Sequence, residues 1–108
     1  MHYDLLIITN APIPTHLFTN INFLVVGEEQ ILVSPYATNH KLTFDYLIFS
    51  NPQTVAKIDL LRDNTTIITN YYLQTSLSHI FAIGDCNQSS LSKEEQWKRI
   101  VEFIQCGE

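Results

Sequence analysis

The chain has 108 residues, 45% of them apolar, and a formal net charge of −5. That length suits one domain over residues 1–108 rather than two, and the apolar fraction excludes a disordered chain. Lys93, Lys98 and Arg99 are interleaved with Glu94, Glu95 and Glu102, so no positive face is concentrated enough for a phosphate backbone and no nucleic-acid partner is expected.

Residues 3–9 form a nearly continuous apolar run, as expected of a strand covered on both faces. Residues 10–20 carry Pro12 and Pro14, which rule out a regular helix there beyond its first turn. The runs 22–26 and 31–33 flank Gly27 and three polar residues, a pattern that predicts an antiparallel hairpin. A turn at 39–41 leads into a strand over 42–50, stopped at Asn51-Pro52 because proline cannot donate to a ladder. Asp63-Asn64 reads as a turn, 66–69 as a short β-branched strand, and 80–83 as an apolar strand ending at Gly84-Asp85.

One helix is expected, at the end. Ser92 and Glu95 make a capping box, and Trp97, Ile100, Val101 and Ile104 recur on one helical face, with Gly107 at the position of a left-handed cap. The longest apolar runs, 5–8 and 23–26, are too short to span a bilayer, and His2, Tyr3 and Asp4 lack the basic start of a signal peptide. A soluble, cytoplasmic protein with no membrane partner is expected.

Residues 74–86 read Gln-Thr-Ser-Leu-Ser-His-Ile-Phe-Ala-Ile-Gly-Asp-Cys, preceded by Thr-Ile-Ile-Thr-Asn-Tyr-Tyr-Leu. This segment resembles the C-terminal flavin motif of the thioredoxin reductase-like pyridine nucleotide-disulfide oxidoreductases, in which a Q-T-S…I-F-A-x-G-D strand ends the FAD domain. Weaker similarities join it: residues 45–50 (DYLIFS) resemble the family's Y-D-x-L-I strand, and residues 3–8 (YDLLII) its opening strand. The resemblance implies an α/β fold, a reduced Rossmann-like FAD-domain sheet with an antiparallel hairpin and one C-terminal amphipathic helix. It implies possible FAD binding at Gly84 and Asp85, the aspartate taking the ribityl hydroxyls at the carboxyl edge of the sheet. Thr9, Asn10 and Pro12 fall where the family turns around the pyrophosphate, and Gln74 and Thr75 belong to the Q-T-S segment.

The departures from that family concern chemistry. Its Gly-x-Gly-x-x-Gly turn is replaced by Thr9-Asn10-Ala11-Pro12-Ile13-Pro14, and the chain has only three glycines, at 27, 84 and 107. The 108 residues include no NADPH domain and no Cys-x-x-Cys; Cys86 and Cys106 read as two reduced thiols. Glu28 and Glu29 fall in the expected hairpin turn rather than where an acid would hold a ribose. The spacing of His2, His16, His40 and His79 matches no zinc pattern, and no serine lies in a Gly-x-Ser-x-Gly elbow.

Independent reductase activity is therefore not expected. Two readings stay open: a small flavin-related protein, and a non-catalytic interaction module that has lost its cofactor and fills the vacated space with side chains such as Pro12, Ile13 and Phe18. One helix cannot cover two faces of a sheet, so a homodimer or a larger protein partner is expected to cover the second.

Overall fold

The computed structural model describes residues 2–19, 21–63, 66–84, 87 and 91–106. Asp85, Cys86, Asn64 and Gly107, and with them the expected ribityl ligand, the thiol beside it, the second half of one turn and the helix cap, lie outside the described residues, as does the side chain of Cys106.

The apolar run at the start becomes β1 (His2–Ile8), the centre of a mixed sheet. β2 (Phe23–Val26) lies parallel along one side of it and β5 (Thr43–Phe49) parallel along the other. β8 (Ile80–Ala82) adds to the far side of β5, again parallel. The parallel core thus has the order β2-β1-β5-β8. β3 (Leu32–Ser34) and β4 (Ala37–Thr38) form a tight antiparallel hairpin, and β4 pairs with the first residue of β5. β6 (Arg62–Asp63) and β7 (Thr66–Ile67) make a separate antiparallel ribbon. The α/β class with a hairpin and one C-terminal helix, α1 (Lys93–Cys106), is the architecture observed.

The hairpin is not the one expected. Residues 22–26 pair with β1 rather than with 31–33. The side chains explain why: Phe23 packs into the cluster on one face of the sheet, and Leu24 and Val26 into the cluster on the other. A strand apolar on both faces fits a parallel position covered on both sides better than a half-solvated hairpin. The turn after Val26 does close, through the Gln30 N–H donating to the Gly27 carbonyl at 3.1 Å. It leads the chain onto the second face instead of back along β2.

The sheet is covered on both faces within one chain. On the first face Leu5, Ile7, Ile48 and Phe81 pack against Trp97, Ile100 and Val101 of α1 and against Phe18. Phe18 meets the Trp97 ring edge-on, 5.7 Å between centroids. The proline-bearing segment forms only a 3-10 turn (Thr15–Leu17), so loop side chains stand where a crossover helix would. On the second face Leu6, Ile8, Leu47, Phe49 and Ile80 meet Leu32 of β3, Val55, Ile58, Leu60 and Ile67 of β7. Irregular chain, a hairpin and a ribbon do on this face the work that crossover helices do in open α/β sheets. Among the described residues, no helix is long and apolar enough to cross a membrane.

Candidate functional site

β1, β5 and β8 are parallel, so their carboxyl ends meet on one rim, the position at which open α/β sheets bind ligands. Gly84 follows β8 with φ +74°, a left-handed conformation that glycine adopts without strain. α1 begins beside it. Its expected cap is present, the Glu95 N–H donating to Ser92 Oγ at 3.2 Å. Between the rim and the helix lies a cavity of about 140 Å³. Thr9, Pro12, Ser50, Gly84, Lys93 and Trp97 line it.

Of the residues anticipated as cofactor contacts, the structure brings Thr9, Pro12 and Gly84 to this cavity and Asn10 to the rim next to it. Gln74 and Thr75 are elsewhere. Their segment runs antiparallel along the outer side of β8, and Gln74 Nε2 donates to the Ser78 carbonyl at 2.8 Å. The Thr75 hydroxyl donates to the Leu77 carbonyl at 3.0 Å. These side chains hold the loop that precedes β8. Gln74 also lines an open groove of about 430 Å³ with Asp45, His79 and Phe103, at the opposite, amino-terminal end of the sheet.

Sequence reasoning missed five further residues of the rim: Glu28, Ser50, Asn51, Asn87 and Gln96. Glu28 stands just beyond β2, whose parallel course carries it to the rim. One carboxylate oxygen, Oε2, accepts the Asn10 N–H at 3.2 Å, and the other, Oε1, accepts Asn51 Nδ2 at 2.8 Å. The Glu28 N–H in turn donates to Asn10 Oδ1 at 3.1 Å. A Cβ on residue 27 would meet the Glu29 carboxyl first and would stand 3.2 Å from that Asn10 oxygen, so Gly27 leaves room for both side chains. The Asn51 amide first, then the Asn10 N–H, hold the Glu28 carboxyl below the usual glutamate range. Thr9 Oγ1 lies 2.7 Å from Ser50 Oγ and also accepts the Ala11 N–H at 3.1 Å.

At the tip of β8 the closure is made by buried amides. Gln96 Oε1 accepts the Gly84 N–H at 2.9 Å and Asn87 Nδ2 at 3.2 Å. Gln96 Nε2 donates to the Leu91 carbonyl at 2.9 Å, and Asn87 Nδ2 also reaches the Ala82 carbonyl at 2.7 Å. A signal for Gln96 existed: it lies four residues before Ile100, on the face that the helical periodicity assigns to the core.

The described rim residues do not fit an FAD. A dinucleotide needs free backbone N–H groups in the turn after β1 and an acid with free lone pairs beyond β2. Here the N–H of residue 10 is bonded to Glu28 and that of residue 11 to Thr9. Pro12 has no N–H, and each Glu28 oxygen already accepts one hydrogen bond from within the chain. The cavity is also below the roughly 300–1,000 Å³ of small-molecule sites.

The fold and the rim together define a small α/β domain with a four-stranded parallel core, whose described carboxyl-edge side chains hydrogen-bond to one another. The chain matches no protein-family model, no curated protein and no solved structure.

Proposed function

We propose that the chain is a non-catalytic module, built on a scaffold similar to the FAD domain of thioredoxin reductase-like flavoproteins, whose dinucleotide crevice is occupied by the chain's own residues. The strand order β2-β1-β5-β8 and the left-handed Gly84 after β8 support the scaffold half of this reading. The observation that carries the other half is Glu28. The acidic side chain beyond the second parallel strand, where a dinucleotide-binding domain holds its ribose, is tied to Asn10 and Asn51 across three strand ends. Phe18, buried against Trp97, together with Ile13 and Leu17 fills the space alongside.

The test is flavin retention. Purified chain incubated with excess FAD or FMN and passed over a desalting column is expected to emerge colourless, with no quenching of flavin fluorescence during titration to millimolar ligand. A yellow protein with stoichiometric flavin, losing it in Asp85→Ala, would overturn the sealed-crevice reading in favour of a flavin-binding one.

A further inference from the structure

Among the described residues the sheet has three outer strand edges, at β2, β3 and β8, and the β6–β7 ribbon adds two; all but the β2 edge are guarded. β3 is three residues long, has a register shift between Leu32 and Ser34, and is followed by Pro35. The outer side of β8 is occupied by the segment before it, with the Thr75 N–H donating to the Ile80 carbonyl and the Ala82 N–H to the Leu73 carbonyl. The β6–β7 ribbon carries Arg62 and Asp63. Short strands, bulges, prolines, cover and charge are the devices by which proteins prevent edge pairing.

β2, four residues long, has no proline, register shift or charged residue, and no described strand covers its outer side. Its sequence is Phe-Leu-Val-Val, and residues 10–27 include no Asp, Glu, Lys or Arg in a chain of net charge −5. The Asn22 and Val26 carbonyls accept the N–H groups of Leu5 and Thr9 in β1. By the two-residue alternation of a strand, the N–H and C=O groups of Phe23 and Val25 therefore point outward, away from β1. No described strand pairs with them. Val25 is 38% exposed, and Phe23, Leu24 and Val26 are only half-buried, so both side-chain rows are incompletely covered.

We infer that this edge pairs with the β2 edge of a second copy of the chain, antiparallel about a two-fold axis at Leu24. The backbone parity selects that register: Phe23 of each copy faces Val25 of the other, and both have outward N–H and C=O groups. The two pairs exchange four hydrogen bonds. They also place an aromatic ring against a β-branched side chain, a favourable cross-strand combination. The occupant is a second copy because the register is self-complementary and isologous. The charge-free stretch is also the surface through which two acidic chains meet without opposing carboxylates. This pairing stands or falls independently of the flavin test.

Sedimentation of the intact chain across the micromolar range is expected to show a mass of two chains that dissociates on dilution. Val25→Lys is expected to weaken association by tenfold or more, because a lysine at an edge is itself a guard. Val33→Lys, on the opposite edge of the sheet, leaves the dimer intact. A wild-type chain of single mass throughout, a dimer that survives Val25→Lys, or one that is lost in Val33→Lys alone overturns the assignment. Should Val25→Lys fail to fold, wild-type amide exchange decides: Phe23 and Val25 N–H groups slow down with rising concentration if the edge is paired, and exchange freely at every concentration if it is not.

Discussion

At the tips of β1, β2 and β5 the polar closure lies near solvent, whereas at the tip of β8 it is buried. The first is a web of short side chains, Asn10, Glu28 and Asn51, joined by bonds of 2.8–3.2 Å and centred on one carboxylate. The second uses neutral amides: Gln96 is 3% exposed and Asn87 7%. Water can replace a lost partner in the first and cannot in the second. The same device, a side chain satisfying the orphan groups of strand and helix ends, thus has very different consequences for stability. Charge is tolerated where solvent shares it, and the buried position takes an amide, which donates and accepts without a net charge to desolvate.

Gln96→Leu gives the largest contrast between the two closures. It removes the acceptor of the Gly84 N–H and the donor to the Leu91 carbonyl, and takes one of two acceptors from Asn87. At about 1–3 kcal/mol for breaking a largely buried hydrogen-bonding network of this kind, a loss of about 2 kcal/mol is expected in urea denaturation. In a domain of this size that lowers Tm by roughly 10 °C or more. A variant as stable as wild type would mean that water reaches the β8 tip, and the distinction between the two closures would fail. Gly84→Ala is expected to cost less, about 1–2 kcal/mol, for a different reason. Among the described residues nothing lies within 4 Å of where its Cβ would stand, so the cost expected is that of the left-handed φ of +74°. A loss well above that range would indicate a contact at the rim that the open space at residue 84 does not suggest.

What the sequence revealed followed periodicity and local chemistry. The strands around Leu5–Ile8, Leu47–Phe49 and Ile80–Ala82, the capped amphipathic helix and the effect of Pro12 and Pro14 were all legible, because each is written in one short continuous run of the chain. The pairing of β2 was not. A turn at Gly27 is compatible with either a hairpin or an exit from the sheet, and only the half-burial of Phe23, Leu24 and Val26 on two faces distinguishes them. Misplacing β2 also hid Glu28, since a residue in a hairpin turn has no reason to meet Asn10 and Asn51. The cover of the second face was equally hidden. Leu32, Val55, Ile58, Leu60 and Ile67 belong to four short segments with no shared period, and only the tertiary fold gathers them. Gln74 and Thr75 illustrate the reverse: they belong to the stretch that most resembles the flavin family, yet their hydrogen bonds serve the loop before β8 and not the rim.

Glu28→Gln probes the solvent-side closure, and its effect is the smallest and depends on pH. The Glu28 carboxyl is held below the usual glutamate range, first by the Asn51 amide and then by the Asn10 N–H. A group whose folded pKa is depressed contributes stability that is fully present above its unfolded value and is lost as pH falls through its folded one. The melting temperature of wild type is therefore expected to exceed that of Glu28→Gln at neutral pH, where the carboxylate accepts from both neighbours. The gap closes as acid protonates the wild-type side chain, and below the lowered glutamate range the two proteins melt together. A gap independent of pH would mean that the charge adds nothing and that shape alone closes the tips of β1, β2 and β5. A gap that widened in acid would mean that the carboxylate is strained there, leaving it available to a ligand rather than committed to Asn10 and Asn51.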